Sequence, residues 1–259
     1  MKRFIKWALG HLPRPLMQCL AGWMVPLYGL LLRGKGKECP ICNTHFRKML
    51  PYGYVTQRDN ALCPSCLSLE RHRLLWLWLK RETKLFEELP TLLHIAPEQC
   101  LMKHFREVYH NDSKRYVTAD LESPLAELHF DVEQIPLKDN TFDVVICNHL
   151  LEHVSNDRRA LGELWRILKP GGWGVVLSPI DYNRKETFED DSITDEKERT
   201  RLFGQYDHRR VYGCDYTKRL EEAGFLAQEI DYAQTFSKEE QMRYSFSNDR
   251  LYIIRKPLS

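Results

Sequence analysis

Two pairs of cysteines carry the clearest metal-binding pattern in this chain of 259 residues. Cys39 and Cys42 are separated by two residues, as are Cys63 and Cys66, and twenty residues lie between the pairs. Two thiolates at this spacing lie on one tight turn and can bind the same ion, so two such turns complete the tetrahedral ligand set of Zn²⁺. Because cysteines fill all four positions, the pattern predicts a structural zinc ion and not a catalytic one.

Disulfides or free thiols are the alternatives to zinc at these positions. The other four cysteines are scattered through apolar surroundings, which is typical of buried thiols in a reducing compartment and disfavours disulfides. Free thiols would not need the repeated Cys-Pro-x-Cys turn. His45 and His72 are weaker candidates as zinc ligands.

Apolar runs in the second half of the chain alternate with amphipathic helical patterns over 97–109 and 155–168. The predicted strands are 91–95, 116–119, 128–132, 143–148, 173–178, 225–231 and 251–255. This alternation predicts a doubly wound, Rossmann-like α/β sheet with an antiparallel last strand. In such a sheet, ligands bind outside the carboxyl ends of the strands.

Polar side chains stand at those predicted strand ends. Asp120 ends the second run, where a carboxylate can accept two hydrogen bonds from a ribose diol. Asp131 follows the third run and can accept a hydrogen bond from an exocyclic amino group, while Val132 packs on a purine. Residues 94–98 lie at the end of the first run, and residues 148–150 lie at the end of the fourth. The pattern predicts a nucleotide-like ligand at this edge.

Three stretches add a joint pattern that is more specific than any one of them. They are DVEQIPLKDNTFDVV from Asp131, NHLLEHV from Asn148 and LKPGG from Leu168. Together they resemble the class I S-adenosylmethionine-dependent methyltransferases of the type 11 group. The resemblance implies S-adenosylmethionine as cofactor, with Asp120 on the ribose, Asp131 and Val132 on the adenine, and Asn148 near the methionine moiety. The predicted cofactor-binding set is His94, Ala96, Glu98, Asp120, Leu121, Asp131, Val132, Asn148 and His149.

The chain departs from the family at its first motif. His94 stands at the acid position, and Ala96, Glu98 and Cys100 stand at the three glycine positions. Glycine there lets the backbone approach the cofactor without a Cβ atom. One hypothesis is that Glu98 pairs with the ammonium group of the cofactor and replaces the lost acid; the opposing hypothesis is a degenerate site.

Candidate catalytic residues lie in the polar insertion 179–216, predicted to be a lid over the acceptor, and after the fourth strand. A hydroxyl acceptor needs a base, and histidine is the usual one near neutral pH. His208, with its neighbour Asp207, is the preferred base, and His149 and His153 are the other candidates. His153 lies near the start of the predicted helix 155–168, so capping or packing is its alternative role.

The N-terminal arm, 1–37, is basic and apolar and is predicted to be helical. It carries seven Lys or Arg and no acidic residue, which leaves 31 basic and 36 acidic residues in the remainder. That acidic body does not fit a basic nucleic-acid binder. The arm is open to four interpretations: a hairpin packed on the body, an anchor lying on anionic lipid, a membrane span or an organelle transit peptide.

Four segments are predicted along the chain: the arm 1–37, a zinc-ribbon-like module with four cysteine ligands over 38–66, a connecting helix 67–89 and the methyltransferase domain 90–259. No cleavable secretory signal is recognised, which favours a cytoplasmic protein, with a peripheral position on the inner membrane face where the arm binds lipid.

The function favoured by the sequence is methyl transfer from S-adenosylmethionine to a small-molecule, glycan or lipid-linked acceptor. An RNA methyltransferase that uses the zinc module to hold its substrate is one alternative, although the acidic body makes nucleic acid the less favoured partner. A non-catalytic interaction protein with a degenerate cofactor site is the other.

Overall fold

The computed structural model describes residues 27–53 and 57–258. The predictions for residues 1–26 of the arm lie outside the described residues. Residues 27–31 are helical. Over the described ranges, no helix combines the length and apolar character that crossing a bilayer requires.

Two compact units divide the described residues. The first, here called the cysteine unit, comprises 27–77 and 236–247, and the second, the sheet unit, comprises 78–235 and 248–258. The boundary lies inside helix α1 (Glu70–Glu82), within the segment 67–89 that was predicted to connect the zinc module to the main domain. Residues 236–247, which were predicted within the main domain, belong to the cysteine unit.

Two antiparallel strand pairs form the cysteine unit together with part of α1. Strand β1 (Arg33–Cys39) pairs with β2 (Thr44–Phe46), and β3 (Leu50–Tyr52) pairs with β4 (Arg58–Leu62). The end of the predicted helical arm is therefore a strand. Glycine at position 34 disfavours a helix there, and a Cβ atom at this position would collide with the side chain of Arg47.

A buried arginine ties the segments of the cysteine unit together. Arg73 on α1 is fully buried. Its guanidinium donates hydrogen bonds to the main-chain oxygens of Ala61 (3.0 Å), Ser68 (3.0 Å), Tyr244 (2.7 Å) and Ser245 (2.9 Å). Two of these acceptors lie at the end of α7 (Lys238–Tyr244), so this cation helps to hold 236–247 in the unit. The periodicity of the sequence does not reveal this contact.

Replacing Arg73 with methionine is expected to lower the opening free energy of the cysteine unit by more than about 3 kcal/mol, because four buried carbonyl oxygens lose their donor. Hydrogen exchange of the β4 amides measures this change. Lys80→Met, at an exposed position of the same helix, is the control and should change protection by less than about 0.5 kcal/mol. Wild-type protection in Arg73→Met would show that the hydrogen bonds contribute little.

The sheet unit contains a seven-stranded sheet in the order β12-β13-β9-β8-β5-β6-β7, which confirms the predicted fold class. Strands β9, β8, β5, β6 and β7 are parallel, and β13 is antiparallel to both of its neighbours. The strands are β5 (Leu92–Ile95), β6 (Tyr116–Asp120), β7 (Leu128–His129), β8 (Phe142–Cys147), β9 (Leu168–Val175), β12 (Leu226–Ile230) and β13 (Leu251–Arg255). The last four residues of β8 are fully buried, as expected for a strand covered on both faces.

Helices and a short two-stranded sheet complete the sheet unit. The helices are α2 (Leu85–Glu88), α3 (Gln99–Val108), α4 (Asp157–Ile167), α5 (Glu196–Phe203) and α6 (Tyr216–Glu222). The two short strands, β10 (Phe188–Glu189) and β11 (Arg210–Val211), pair within the insertion.

Several element ends differ from the predictions for local reasons. The predicted helix 67–89 breaks near Thr83, whose hydroxyl donates to the oxygen of Leu79 (2.6 Å) and accepts from the nitrogen of Leu85 (3.3 Å). Helix α4 begins at Asp157 and is capped by Asn156, whereas the helical pattern of the sequence begins at residue 155. Residues 169–172, which follow that pattern, lie inside β9.

Two further differences concern shorter segments. Pro97 precedes α3 and is not its first residue, because Glu98 is the N-cap. The predicted third strand, 128–132, is shortened to β7. A 3₁₀ turn (Tyr232–Thr235) and α7 occupy the segment between β12 and β13, where no long helical pattern was recognised.

Candidate active site

A crevice lies at the carboxyl ends of β5 and β6, where the fold places ligands. Five of the predicted cofactor residues line it together: Ala96, Asp120, Leu121, Asp131 and Val132. Its other lining residues are Ile95, Phe130, Leu150 and Val154, which make most of the remaining wall apolar. An apolar slot with two carboxylates suits a purine nucleoside.

Local turns fix the two acids of the crevice. Asp120 Oδ1 accepts hydrogen bonds from the backbone nitrogens of Glu122 (2.9 Å) and Ser123 (2.8 Å). Asp131 Oδ1 accepts one from the nitrogen of Glu133 (2.9 Å). Over the described ranges these contacts use one oxygen of each carboxylate. The other oxygen of each can accept hydrogen bonds from a ligand.

Of the three positions where the family has glycine, only Ala96 has the positive φ that favours glycine. Ala96 has a φ of 49°, in the left-handed region, which costs a residue with a Cβ about 1–2 kcal/mol. Glu98 has a φ of −72°, which any residue adopts, and Cys100 lies buried in the first turn of α3. The side chains at 98 and 100 are therefore compatible with this backbone.

His94, Glu98 and Asn148 form a second group, which does not line the crevice with the two acids. The buried His94 contacts Glu98 Oε2 through Nε2 (2.7 Å) and the hydroxyl of Tyr116 through Nδ1 (3.0 Å). Asn148 Nδ2 donates to Glu98 Oε1 (3.1 Å). Burial raises the pKa of Tyr116, so its hydroxyl stays protonated and can donate to Nδ1 while Nε2–H donates to Glu98.

Asn148 leaves one polar atom of this group unsatisfied. Its Oδ1 is buried and has no hydrogen-bond partner among the described residues. A buried carbonyl oxygen of this kind requires a donor. Since the carboxylate of Glu98 contacts the same side chain, a cationic donor such as an ammonium group fits here.

The third group, here called the histidine cluster, consists of His149, Glu152, His153, Asp207 and His208. Glu152 is buried, and its Oε1 lies 3.4 Å from His149 Nδ1. The hydroxyl of Ser178 donates to Glu152 Oε2 (3.2 Å). Burial acts to raise the pKa of Glu152, but the hydrogen bond from His149 and the charges of His149 and His153 outweigh it and lower the pKa.

The insertion supplies the other half of the histidine cluster. The rings of His153 and His208 are nearly perpendicular, with centroids 4.7 Å apart. His153 Nδ1 lies 3.5 Å from Asp207 Oδ2, and His208 Nδ1 donates to the oxygen of Phe203 (3.0 Å). Burial lowers the pKa of His208, so the ring is neutral near pH 7 and its Nε2 carries the lone pair. All four predicted catalytic residues thus lie in one cluster.

A buried ion network holds the insertion against the start of α4. Arg210 donates to the main-chain oxygens of Leu151 (2.5 Å) and Val154 (2.8 Å). Asp157 accepts from the hydroxyl of Tyr212 (2.7 Å) and from Arg219 (2.7 Å). Neither this network nor Glu152 as the centre of the cluster was predicted from the sequence. The only available signal was Glu152 beside His153, in a segment whose burial the sequence does not show.

The four cysteines of the cysteine unit form a compact cluster. Cys39 Sγ lies 3.6 Å from Cys66 Sγ, and Cys42 Sγ lies 3.7 Å from Cys63 Sγ. A tetrahedron with Zn–S bonds of ~2.3 Å has edges of about 3.8 Å, whereas a disulfide requires about 2 Å. The sulfur positions therefore fit a zinc ion and exclude disulfides at these pairs. Neither His45 nor His72 belongs to the group.

The sheet order and the antiparallel β13 match the Rossmann-like fold of the class I S-adenosylmethionine-dependent methyltransferases, and the acids beyond β6 and β7 lie where that fold places ligands. Residues 93–176 match the methyltransferase domain family of type 11. This segment of the chain is therefore similar to that family, as its motifs predicted.

Two curated relatives share the motif region. The malonyl-[acyl-carrier protein] O-methyltransferase of Buchnera aphidicola is 45% identical over 55 residues, which is 21% of this chain and 22% of that protein. The ubiquinone/menaquinone biosynthesis C-methyltransferase of a Ruegeria species is 45% identical over 47 residues, 18% of this chain and 19% of that protein. The matched segments span about a fifth to a third of the curated relatives.

A solved structure with a related shape is the S-adenosylmethionine-dependent methyltransferase from Mesorhizobium loti. It has 14% sequence identity and a TM-score of 0.47, and the alignment covers 71% of this chain and 98% of that chain.

Proposed function

We propose that this protein transfers a methyl group from S-adenosylmethionine to an acceptor bound beside the histidine cluster. The sulfonium of that cofactor supplies a methyl carbon that is already activated for displacement. The observation that carries the proposal is the common location of the site: two ligand-type acids and an unsatisfied Asn148 lie at one sheet edge, and the histidine cluster begins at the next residue, His149.

The predicted binding residues fit the cofactor part by part. Asp120 would hold the ribose through its second oxygen, and Asp131 with Val132 would hold the adenine. Glu98 Oε1 and the unsatisfied Asn148 Oδ1 would accept from the ammonium group. These contacts support the hypothesis that Glu98 replaces the acid lost at His94, and they weigh against a degenerate site.

Glu98→Ala is expected to weaken S-adenosylhomocysteine binding about 10- to 100-fold, because a charge-assisted contact to the ammonium group disappears and Asn148 is left with less support. Calorimetric titration measures the affinity. Glu107→Ala, in the same helix at a more exposed position, is the control and should bind like the wild type. If Glu98→Ala binds as tightly as the wild type, the ammonium group does not bind here.

Proton removal from a hydroxyl acceptor is assigned to His208. Its Nδ1–H is fixed by the oxygen of Phe203, so Nε2 is the free basic nitrogen of the ring. The neighbouring His153 is oriented by Asp207, and Glu152 places a buried negative charge beside both rings. That charge would stabilise the imidazolium formed on proton transfer. With the acceptor bound, the insertion carrying His208 would also shield the reacting groups from water.

The acceptor class that we propose first is a small molecule. One curated relative is named as a malonyl-[acyl-carrier protein] O-methyltransferase and the other as a ubiquinone/menaquinone biosynthesis C-methyltransferase, although each shares only the motif region with this chain. Glycan and lipid-linked acceptors belong to the same proposal. Incubation of a lysate with methyl-labelled cofactor, followed by separation into small-molecule, lipid, glycan, protein and RNA fractions, tests it. Label confined to RNA would favour the alternative RNA methyltransferase, and no label in any fraction would favour a non-catalytic protein.

The four cysteines are proposed to bind one structural zinc ion, since their sulfur spacing fits the tetrahedron. The net charge of such a centre is −2, and the buried Arg73 in the same unit offsets part of it.

Peripheral membrane contact through 1–37 remains a proposal that the described end of the arm supports. Leu27, Tyr28, Leu30 and Leu31 are each more than half exposed on one short helical segment. Apolar side chains beside basic residues suit an anionic lipid surface. Vesicle flotation tests this contact. The protein should float with phosphatidylglycerol vesicles and not with phosphatidylcholine vesicles, and a protein that floats with neither would refute the proposal.

A further inference from the structure

We propose that Glu152, His153 and His208 form a binding site for a divalent transition-metal ion, separate from the four cysteines. One potential ligand atom from each of the three side chains lies within 4.8 Å of the others. Two imidazoles and one carboxylate form a ligand set that zinc and ferrous iron use in proteins. The ion class is therefore Zn²⁺ or a first-row neighbour such as Co²⁺, and not Mg²⁺ or Ca²⁺, which prefer oxygen ligands.

Both histidines are oriented as metal ligands usually are. A metal-bound imidazole typically donates its other N–H to a carboxylate or a backbone carbonyl. His153 Nδ1 faces Asp207 Oδ2 at 3.5 Å, and His208 Nδ1 donates to the oxygen of Phe203 at 3.0 Å. His208 therefore has Nε2 as its lone-pair nitrogen, and the carboxylate of Asp207 favours the same tautomer in His153. The groups that orient such ligands are present on both sides of the site.

The charge balance around Glu152 also favours a cation. Glu152 and Asp157 are both buried, with 2% and 1% of their surface exposed. Asp157 pairs with the guanidinium groups of Arg210 and Arg219. In the described part of the chain, Glu152 has no ion pair with Lys or Arg and contacts only His149 in this way. A buried carboxylate without a permanent positive partner carries a large desolvation free energy. A divalent ion would supply the compensating positive charge.

His208 could not bind a metal ion and act as the proposed base at the same time. A bound ion uses the lone pair of His208 that would accept the proton of the acceptor. This consequence rests on the proposed function, whereas the binding itself does not. The metal site would therefore act as an inhibitory site at the acceptor side of the crevice.

The test is metal stoichiometry in the full-length protein, measured without cofactor or acceptor. Equilibrium dialysis against Co²⁺ should load two ions, one with thiolate-to-cobalt charge-transfer absorption from the cysteines and one without it. His208→Ala and His153→Ala should each lower the affinity for the ion without thiolate absorption at least 10-fold. Asp207→Asn should lower that affinity about 10-fold. His110→Asn is the control, because position 110 is exposed and has a φ of 51° that asparagine tolerates.

Two results would overturn the inference: no ion without thiolate absorption in the wild type, or such an ion that binds with unchanged affinity in both His208→Ala and His153→Ala. Because dialysis requires no turnover, a failure of the methyltransferase proposal leaves this result interpretable. If the wild type is active, added Co²⁺ should lower its activity in parallel with occupancy of the second site, and activation by Co²⁺ would contradict the inhibitory role.

Discussion

His208→Ala is expected to lower kcat for a hydroxyl acceptor by about 10²- to 10⁴-fold while leaving the affinity for S-adenosylhomocysteine unchanged. The reason is that His208 offers a neutral ring with a fixed tautomer: burial lowers its pKa, and Phe203 accepts the Nδ1 proton. Single-turnover kinetics with no added divalent metal, together with calorimetric titration, separate the chemical step from cofactor binding.

Two variants make this result specific to proton transfer. His110→Asn removes an exposed histidine outside the cluster and should keep wild-type kcat. Asp207→Asn should lower kcat less than His208→Ala, because Asp207 contacts the neighbouring His153 and not His208. A kcat for His208→Ala within about twofold of the wild type would remove His208 as the base and transfer that role to His149 or His153.

Removal of the proposed zinc ion is expected to unfold the cysteine unit. Structural zinc centres contribute apparent binding free energies of about 10–16 kcal/mol, which exceeds the few kcal/mol that a small core supplies. Cys63→Ser, or treatment with a strong chelator, should abolish hydrogen-exchange protection of the β1 and β4 amides. The β8 amides of the sheet unit should keep theirs, because β8 is covered on both faces within its own sheet.

Cys214→Ser is the matched control for the zinc prediction. Cys214 is an exposed cysteine of the sheet unit and lies outside the cluster, so its replacement should leave metal content and protection unchanged. Retained protection of β1 and β4 in metal-free Cys63→Ser would show that the cysteine unit folds without an ion.

The sequence predicted the sheet well because its signals are local. Alternating apolar runs define the strands, and the acids that follow them, Asp120 and Asp131, need only the end of a strand to be placed at the crevice. The cysteine spacing predicted the cluster for the same reason, since each pair is fixed by one short turn.

Contacts between distant segments were not predictable from one sequence. Arg73 binds carbonyl oxygens of residues 244 and 245, more than 170 positions away, and no local pattern indicates this choice. The same holds for Glu152, which the fold brings close to His208 of the insertion. The positive φ of Ala96 was also hidden, because alanine gives no signal for a left-handed backbone.

The most direct test of the account is calorimetric titration of the wild type and of Asp120→Asn with S-adenosylhomocysteine. The wild type should bind one equivalent with a dissociation constant on the order of 1–100 µM. Asp120→Asn should bind at least about 10-fold more weakly, because the ribose loses a charged acceptor. Absence of heat at millimolar ligand, in wild-type protein whose β5 and β8 amides are protected from exchange, would contradict the claim that this crevice holds the cofactor.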